Sequence, residues 1–267
     1  MIFSTVVSLS GQKRHTPAAA GKQPIDAEMG VLLARLSKKV FVAVISGGDW
    51  PQFEQQLIGN LPIGIDLGRC FLLPTSGTKL YRHEGVWRQV YAQIFSDDER
   101  ARILAALDAA VATAGLSRGE SWGEKIEDRG SQITFSGLGQ NAPIDAKKAW
   151  DPNFAKRKRL QDALVPMLPG FAVRVGGSTS VDITREGVDK AYGMRQLAQV
   201  AGIATADMIF LGDAIYPGGN DDAVRAAGID TIAVRDIHET KRVTEGIVLS
   251  LEDPRGRGNL SFGVRMR

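Results

Sequence analysis

Short apolar runs alternate with amphipathic stretches in the first and last parts of the chain. Val40–Ile45 reads VFVAVI and stops at Ser46-Gly47-Gly48. A β-branched run that ends at a glycine turn is typical of a parallel strand buried on both faces. Further strands are predicted at Phe3–Leu9, Phe71–Leu73, Met208–Leu211 and Thr231–Val234. Lys79–Arg82 and Val86–Val90, which flank Glu84-Gly85, predict a hairpin. Apolar residues at helical spacing predict helices that begin near Pro24, Pro51, Asp189, Asp221 and Glu239.

The middle of the chain has a different texture. Antiparallel strands are predicted at Glu124–Asp128, Gln132–Ser136, Ala172–Val175 and Thr179–Ile183. Ser96 and Glu99 form a capping-box signature before an alanine-rich helix. A helix-rich segment, 142–168, carries the basic run Lys156–Arg159, which is expected to be a solvated helix face.

Antiparallel strands between two blocks of β-α alternation indicate an inserted domain. The predicted fold is α/β, with a doubly wound, mostly parallel, Rossmann-like core built from residues 1–94 and 187–267. Residues 95–186 are predicted to form an inserted α+β cap.

Composition narrows the classes of partner. The 267 residues include 33 basic and 30 acidic side chains, and a net charge of +3 is too small for a strong nucleic-acid field. The longest apolar run is too short to cross a bilayer. The single cysteine, Cys70, excludes an internal disulfide framework and fits a cytoplasmic location. Lys13 and Arg14 follow the first apolar segment, so this segment is interpreted as a strand rather than a signal sequence.

Polar residues follow several of the predicted strands. Ser46 follows one strand and is succeeded by the amide of Gly47, Asp213 follows another, and Lys190 opens a helix. Ligands of open parallel sheets bind beyond the carboxyl ends of the strands. A hydroxyl, free amides, a lysine and a carboxylate-rich loop suit a phosphate beside a divalent cation. Taken singly, Ser46 also fits a tight turn and Lys190 a helix start, and the order of the motifs is more specific than any one of them.

That order resembles the haloacid dehalogenase (HAD) superfamily, in the branch with the large α/β cap. The pattern is similar to that of eukaryotic-type phosphomannomutases and their bacterial sugar-phosphatase relatives. The matching stretches are Ile45–Asp49, Pro74–Gly85, Arg129–Gln140, Gly176–Lys190 and Gly212–Asp222. The resemblance implies that Ser46 and Lys190 hold the transferring phosphoryl group. It implies that Asp213 binds Mg²⁺, with Asn220 and Asp221 in support.

The resemblance also extends to substrate-binding positions of the cap. Phosphomannomutases have an Arg-x₁₀-Arg-x₆-Arg set for the distal phosphate, and the equivalent positions here are Arg129, Gln140 and Lys147. A neutral amide and a lysine replace two of the arginines, and a lysine lacks the fork that binds phosphate bidentately. The remaining substrate positions implied by the resemblance are Ser180 and Asp182 in the cap and Lys22 in the core.

The first motif of the superfamily is absent. The first strand should end in Asp-x-Asp, where one carboxylate is the nucleophile and the other the acid/base, but here it reads Ser8-Leu9-Ser10. Three explanations remain open. In the first, the chain is a non-catalytic sugar-phosphate binder. In the second, Ser10–Pro17 arises from a shifted reading frame, since the +1 frame can encode Asp-Lys-Asn-Gly-Thr-Leu. In the third, serine acts in an unfamiliar chemistry, although the adjacent base that would activate it is missing.

The family resemblance implies Mg²⁺-dependent phosphoryl transfer on a phosphorylated sugar. Hydrolysis is favoured over mutase action. A mutase binds a sugar bisphosphate in two orientations, and this cap has only one of the three arginines that bind the distal phosphate in phosphomannomutases. The alternatives are a phosphomannomutase and a binding module without turnover. With serine at position 8, Mg²⁺ affinity is expected to be poor. A homodimer formed through the cap is a further expectation from the resemblance.

Overall fold

The computed structural model describes residues 4–8, 24–117 and 119–253. Its strands are β1 (Ser4–Ser8), β2 (Phe41–Ile45), β3 (Cys70–Leu73), β4 (Lys79–His83), β5 (Trp87–Ala92), β6 (Ile126–Asp128), β7 (Ile133–Ser136), β8 (Phe171–Val175), β9 (Ser180–Arg185), β10 (Met208–Gly212) and β11 (Asp230–Ala233). Its α-helices are α1 (Ala27–Ser37), α2 (Trp50–Gln56), α3 (Asp97–Thr113), α4 (Ile144–Trp150), α5 (Ala155–Leu164), α6 (Lys190–Ala201), α7 (Asp222–Ala226) and α8 (Ile237–Glu252).

The larger sheet has seven strands in the order β11-β10-β1-β2-β3-β4-β5. Neighbours from β11 to β3 are parallel, and β4 and β5 are antiparallel. Alternate residues of β2 enter different layers. Ala43 packs with Met194 of α6, whereas Val44 packs with Leu33 of α1 and Val248 of α8. Helices therefore cover both faces of a mostly parallel sheet, and the predicted doubly wound core is confirmed.

The smaller sheet has four antiparallel strands in the order β6-β7-β9-β8. Ile133 and Phe135 of β7 pack with Leu107 of α3 and Leu160 of α5 in one apolar cluster. All of these elements lie between β5 and α6 in the chain, as an inserted α+β cap requires. The limits at residues 94/95 and 186/187 stay predictions.

The prediction for the start of α3 is confirmed, whereas the prediction for the basic run of α5 is wrong at one residue. The predicted capping box is present, because Ser96 Oγ accepts from the Glu99 amide at 3.2 Å and a Glu99 carboxylate oxygen accepts from the Ser96 amide at 2.7 Å. The prediction that Lys156–Arg159 is a solvated face was wrong for Arg157, whose side chain is 3% exposed and lies 2.8 Å from Asp151. Arg157 lies on the same side of α5 as the buried Leu160 and Leu164, so helical periodicity turns it inward.

The chain's longest helices are amphipathic or polar. Among the residues that the structure describes, none of the helices combines the length and the apolar composition needed to cross a membrane.

Candidate functional site

The candidate site lies at the carboxyl ends of the three central strands. Strand β1 lies between β10 and β2, where Ser8 pairs with Ile45 and Val7 pairs with Leu211. The backbone of Ser8 is therefore level with the ends of both neighbours. The chain leaves β1 toward β2 on one side and returns through β10 on the other, and such a reversal of strand order is where α/β sheets bind ligands. The predicted residues Ser10 and Lys22 lie outside the described residues.

Ser46 lies in a loop that is hydrogen-bonded to the loop after β3. The Ser46 amide donates to the Leu73 carbonyl at 3.2 Å, and its carbonyl accepts from the Ser76 amide at 2.8 Å. The Ser46 hydroxyl accepts from the Gly48 amide at 3.3 Å. The loop after β3 is tightly wound, since Thr75 and Ser76 have left-handed φ values of 49° and 59°. These bonds fix a hydroxyl and neighbouring amides at the edge of the sheet.

Lys190 and Asp221 form a buried ion pair at the start of α6, a helix that closely approaches the loop after β3 where Gly193 meets Gly77. The Lys190 ammonium contacts Asp221 Oδ1, and the two side chains are 2% and 0% exposed. Asp221 Oδ2 accepts from the Ala214 amide at 3.1 Å, which ties the pair to the loop after β10. Asp189 caps α6 by accepting from the Tyr192 amide at 2.9 Å. Because a Cβ on Gly212 would lie 2.4 Å from Asp221 Oδ2, the glycine is what admits this carboxylate.

Asp213 and Asn220 lie on the same loop as Asp221. Asp213 follows β10 directly and is half-buried, whereas Asn220 is exposed. Mg²⁺ in proteins is usually bound through one or two carboxylates, with waters and phosphate oxygens completing an octahedron. Here the Asp221 carboxylate is neutralised by Lys190, and no group of three or more His, Cys, Asp or Glu side chains that suits a metal occurs within 24–117 and 119–253. Asp213, Asn220 and Asp221 are the oxygen donors on this loop that would hold Mg²⁺, and the Asp221 carboxylate is already paired with Lys190.

Arg129 connects the smaller sheet to the Ser46 loop. It follows β6, is buried, and its guanidinium donates to Glu127 at 2.6 Å and to the carbonyl of Gly47. Its Nε atom has no partner among the described residues. The structure thus brings together Arg129 and Gly47, two residues predicted for substrate binding, and the arginine is already engaged in protein contacts.

A buried cluster of hydroxyl groups lies next to this arginine. Ser131 Oγ is 2.7 Å from Thr78 Oγ1 and 3.3 Å from Thr75 Oγ1, and the two threonine hydroxyls contact each other. Ser131 belongs to the turn between β6 and β7, and the threonines follow β3. This cluster could not be predicted from the sequence, because nothing in the spacing of Thr75, Thr78 and Ser131 indicates a contact.

The predicted pair Ser180 and Asp182 lies on the polar face of the smaller sheet. Asp182 Oδ1 accepts from Thr134 Oγ1 at 2.8 Å and from Gln132 Nε2 at 3.2 Å. A Cβ on Gly176 would lie 2.6 Å from both Ser180 Oγ and Asp182 Oδ2, so the backbone closely approaches both side chains. Sequence analysis missed Gln132 and Thr134. The period-two alternation of β7 was the available signal, since it sets them on the face opposite Ile133 and Phe135.

Gln140 and Lys147 lie together in the segment after β7. The Lys147 ammonium donates to the Gln140 carbonyl at 2.9 Å. Burial lowers the pKa of Lys147. The amide Nε2 of Gln140 is buried and has no partner among the described residues. A neutral amide and a lysine lack the planar guanidinium fork with which an arginine binds phosphate bidentately.

The mostly parallel core with an inserted antiparallel unit has the architecture of the HAD superfamily. The fold is shared by a haloacid dehalogenase-like hydrolase from Bacteroides thetaiotaomicron, with a TM-score of 0.59 at 14% identity over 92% of this chain and 100% of the other. An IMP-nucleotidase structure from Plasmodium falciparum gives a TM-score of 0.68 at 13% identity, over 93% of this chain and 68% of the other.

Within the superfamily, the chain belongs to the eukaryotic phosphomannomutase family, whose profile ("Eukaryotic phosphomannomutase") matches residues 29–248. A human protein named phosphomannomutase 1 is 26% identical over 232 residues, which is 83% of this chain and 84% of the relative. A phosphomannomutase from Nicotiana benthamiana is 23% identical over 248 residues, covering 88% of this chain and 86% of the relative. The family resemblance drawn from the motifs is confirmed.

Proposed function

We propose that this chain binds a phosphorylated sugar between the core and the cap. The phosphoryl group contacts the Ser46 hydroxyl, the Gly47 amide and Lys190, and the sugar lies against Ser180 and Asp182. The observation that carries the proposal is the strand register, which sets Ser46 and Asp213 after the two neighbours of β1. The proposal is supported by the buried Lys190–Asp221 pair, which holds an ammonium at the start of α6.

The chemistry for which such a site is built is phosphoryl transfer, and we propose that, with the missing first-motif carboxylates restored, it hydrolyses a sugar monophosphate. A mutase must hold a second phosphate in the cap. Here Arg129 donates to Gly47 and Glu127, a neutral amide stands at position 140, and burial lowers the pKa of Lys147. These features favour one phosphate over two. The names of the curated relatives favour the mutase alternative.

As it stands, the chain lacks a carboxylate at position 8. A serine hydroxyl without an adjacent base is a weak nucleophile. We therefore propose that this exact chain turns over negligibly and that it binds Mg²⁺ weakly in the absence of substrate. The site then acts as a sugar-phosphate binding module on an enzyme framework.

The test combines calorimetry with product analysis. Glucose 6-phosphate, mannose 6-phosphate and inorganic phosphate are titrated into the full chain, and phosphate release from both sugars is measured with Mg²⁺. Sugar-phosphate binding with phosphate release at the no-enzyme level is expected. Conversion of mannose 1-phosphate to mannose 6-phosphate in the presence of a bisphosphate activator, without net phosphate release, would establish the mutase alternative. Absence of sugar-phosphate binding would overturn the proposal.

Two further proposals rest on the same family membership. We propose that the protein is cytoplasmic and that it forms a homodimer through the cap. Localisation of a tagged full-length chain tests the first. Sedimentation equilibrium tests the second, and a monomer across the micromolar range would contradict it.

A further inference from the structure

One buried side chain of the cap has an unused hydrogen-bond acceptor. Gln132 is 1% exposed. Its Nε2 donates to Thr134 Oγ1 at 2.9 Å and to Asp182 Oδ1 at 3.2 Å, while its Oε1 has no partner among the described residues. Buried polar atoms of native proteins are nearly always paired, so an unpaired one calls for an explanation.

Chemistry fixes the orientation of this amide. An ionised carboxylate only accepts hydrogen bonds, so the NH₂ group of Gln132, and not its oxygen, must face Asp182. Rotating the amide by half a turn would bring two acceptors together. The Oε1 atom of Gln132 is therefore an acceptor held in one direction by its neighbours.

The acceptor lies on the polar face of the smaller sheet. Ile133 and Phe135 pack against α3 and α5, so Gln132 and Thr134 lie on the opposite face, together with Asp182. On the same face lies Arg174, which is opposite Asp182 in the register of β8 and β9.

Arg174 shows how close this face is to the phosphate site. It donates to the Val188 carbonyl at 3.4 Å and lies 3.7 Å from Asp189. These residues come directly before Lys190. The polar face thus borders the residues assigned to the phosphoryl group.

We infer that Gln132 is a specificity-determining residue that accepts a hydrogen bond from a hydroxyl of the bound sugar. The inference rests on the proposed function and narrows its substrate class to sugars that present a neutral hydroxyl-bearing end to the cap. An amide oxygen and a carboxylate both require donors. A hydroxyl supplies one, whereas an ionised phosphate supplies none and is repelled by Asp182.

The experiment compares Gln132→Met with the matched control Gln161→Met. Met has a similar length and lacks the acceptor, and Gln161 lies on α5, on the other side of the same sheet, where it donates to the Val173 carbonyl at 2.7 Å. Glucose 6-phosphate, mannose 6-phosphate, fructose 1,6-bisphosphate and inorganic phosphate are titrated calorimetrically into each full chain. Gln132→Met is expected to weaken hexose 6-phosphate binding about tenfold, and inorganic phosphate binding less than about twofold. The control leaves both unchanged.

A second measurement does not depend on the fold of the variant. Deoxy analogues of glucose 6-phosphate, each lacking one hydroxyl, are titrated into the unaltered chain. At least one is expected to bind about tenfold more weakly than the parent sugar phosphate, and Gln132→Met is expected to remove that difference.

The outcomes separate the inference from the function on which it rests. If the unaltered chain binds hexose phosphates and every deoxy analogue equally well, or Gln132→Met weakens sugar phosphate and inorganic phosphate alike, the inference is overturned and the proposed function stands. Tighter binding of the bisphosphate than of the monophosphates also overturns it. If the unaltered chain binds inorganic phosphate but no hexose phosphate, the proposed function fails and the inference fails with it.

Discussion

The two polar regions of this molecule differ in how completely they are paired. At the edge of the larger sheet, the buried Lys190–Asp221 pair has opposite charges in contact and a backbone amide on the second carboxylate oxygen. On the cap, four buried atoms lack a hydrogen-bond partner among the described residues: Arg100 Nε, Arg129 Nε, Gln132 Oε1 and Gln140 Nε2. Of these, Arg100 Nε lies 2.6 Å from an Asp128 carboxylate oxygen in an ion pair.

This difference in pairing assigns affinity for the phosphoryl group to the core and selectivity for the attached sugar to the cap. Under the proposed function, the core edge offers the same Ser46 hydroxyl and Lys190 ammonium to a phosphoryl group whatever is attached to that group. Unpaired cap atoms gain hydrogen bonds only when a ligand of the right shape supplies them, and a ligand that does not is penalised. The core is therefore expected to set how tightly phosphate binds, and the cap what is attached to it.

The largest expected effect comes from supplying the core edge with its missing carboxylates. The double variant Ser8→Asp with Ser10→Asp is expected to raise phosphate release from hexose phosphates from the background level by about 100-fold or more. Aspartate at position 8 adds a nucleophile and negative charge for Mg²⁺, and aspartate at position 10 supplies the acid/base carboxylate of the superfamily's first motif. Phosphate release with Mg²⁺ and calorimetric Mg²⁺ titration measure the two gains.

The single variants and Asp213→Ala in the double-variant background are the controls. Each single variant is expected to gain less than the double variant, and Asp213→Ala is expected to return activity to background. Turnover of order 1 s⁻¹ by the unaltered chain, abolished by Asp213→Ala, would show that the account of the first motif is wrong.

The buried ion pair gives the next largest effect, on stability. Lys190→Met leaves the Asp221 carboxylate buried without its counter-charge, and is expected to lower the free energy of unfolding by about 3–5 kcal/mol. The double variant Lys190→Met with Asp221→Asn is expected to lose less than the sum of the single variants, because it removes both charges. Urea unfolding measures all three.

Lys158→Met is the matched control for this pair. Lys158 and Asp162 are 2.7 Å apart, but their side chains are 61% and 60% exposed. Such a pair contributes about 0.5 kcal/mol. If Lys158→Met and Lys190→Met lowered the free energy of unfolding equally, the buried pair would contribute no more than an exposed one.

The core motifs were predictable because each follows a strong local signal. Buried strands such as Val40–Ile45 are continuous apolar runs, and in a parallel sheet their carboxyl ends meet at one edge. Ser46 and Asp213 could therefore be assigned to neighbouring strand ends from the sequence. The capping box of Ser96 and Glu99 is equally local and is confirmed.

Contacts between distant segments could not be predicted in this way. The hydroxyl cluster joins Ser131 to Thr75 and Thr78, more than 50 residues away, and the Arg129 guanidinium reaches the Gly47 carbonyl. Such contacts depend on how the cap docks on the core, which no periodicity encodes. The burial of Arg157 escaped prediction because a run of four basic residues suggests solvent on every side, whereas the helix has one inward face.

A smaller effect on stability is expected at the joint between cap and core, which is the hydroxyl cluster of Ser131, Thr75 and Thr78. Ser131→Ala removes a buried hydroxyl that contacts Thr78, and is expected to lower the free energy of unfolding by about 1 kcal/mol. Urea unfolding measures the loss, and hydrogen exchange of the amides around Thr75 reports whether the joint opens. Ser121→Ala, which removes an exposed hydroxyl bonded to the Gly123 carbonyl, is the control. Losses of the same size in both variants would mean that the buried cluster does not hold the cap.

The smallest expected effect is a pH-dependent contribution of Glu99, which lies in α3 and binds Arg185 of β9 within the cap. The Glu99 carboxylate accepts from the Arg185 guanidinium at 2.9 Å and 2.5 Å and from the Ser96 amide, and these bonds lower its pKa to about 2. Because the folded pKa lies below the unfolded value of about 4.3, the contribution is complete above that value and is lost as pH falls through about 2.

Glu99→Gln keeps an oxygen that can accept from the Ser96 amide and removes the charge. It is expected to lower the free energy of unfolding by about 0.5 kcal/mol at pH 7, the scale of a surface ion pair. The difference from the unaltered chain should shrink steadily between pH 4 and pH 2, because protonation of Glu99 then weakens the same contact in the unaltered protein. Thermal unfolding at pH 7, 5 and 3 measures it, with the exposed Glu54→Gln as the control. A difference that stays constant or grows on acidification would show that the charge on Glu99 does not stabilise the contact between α3 and β9.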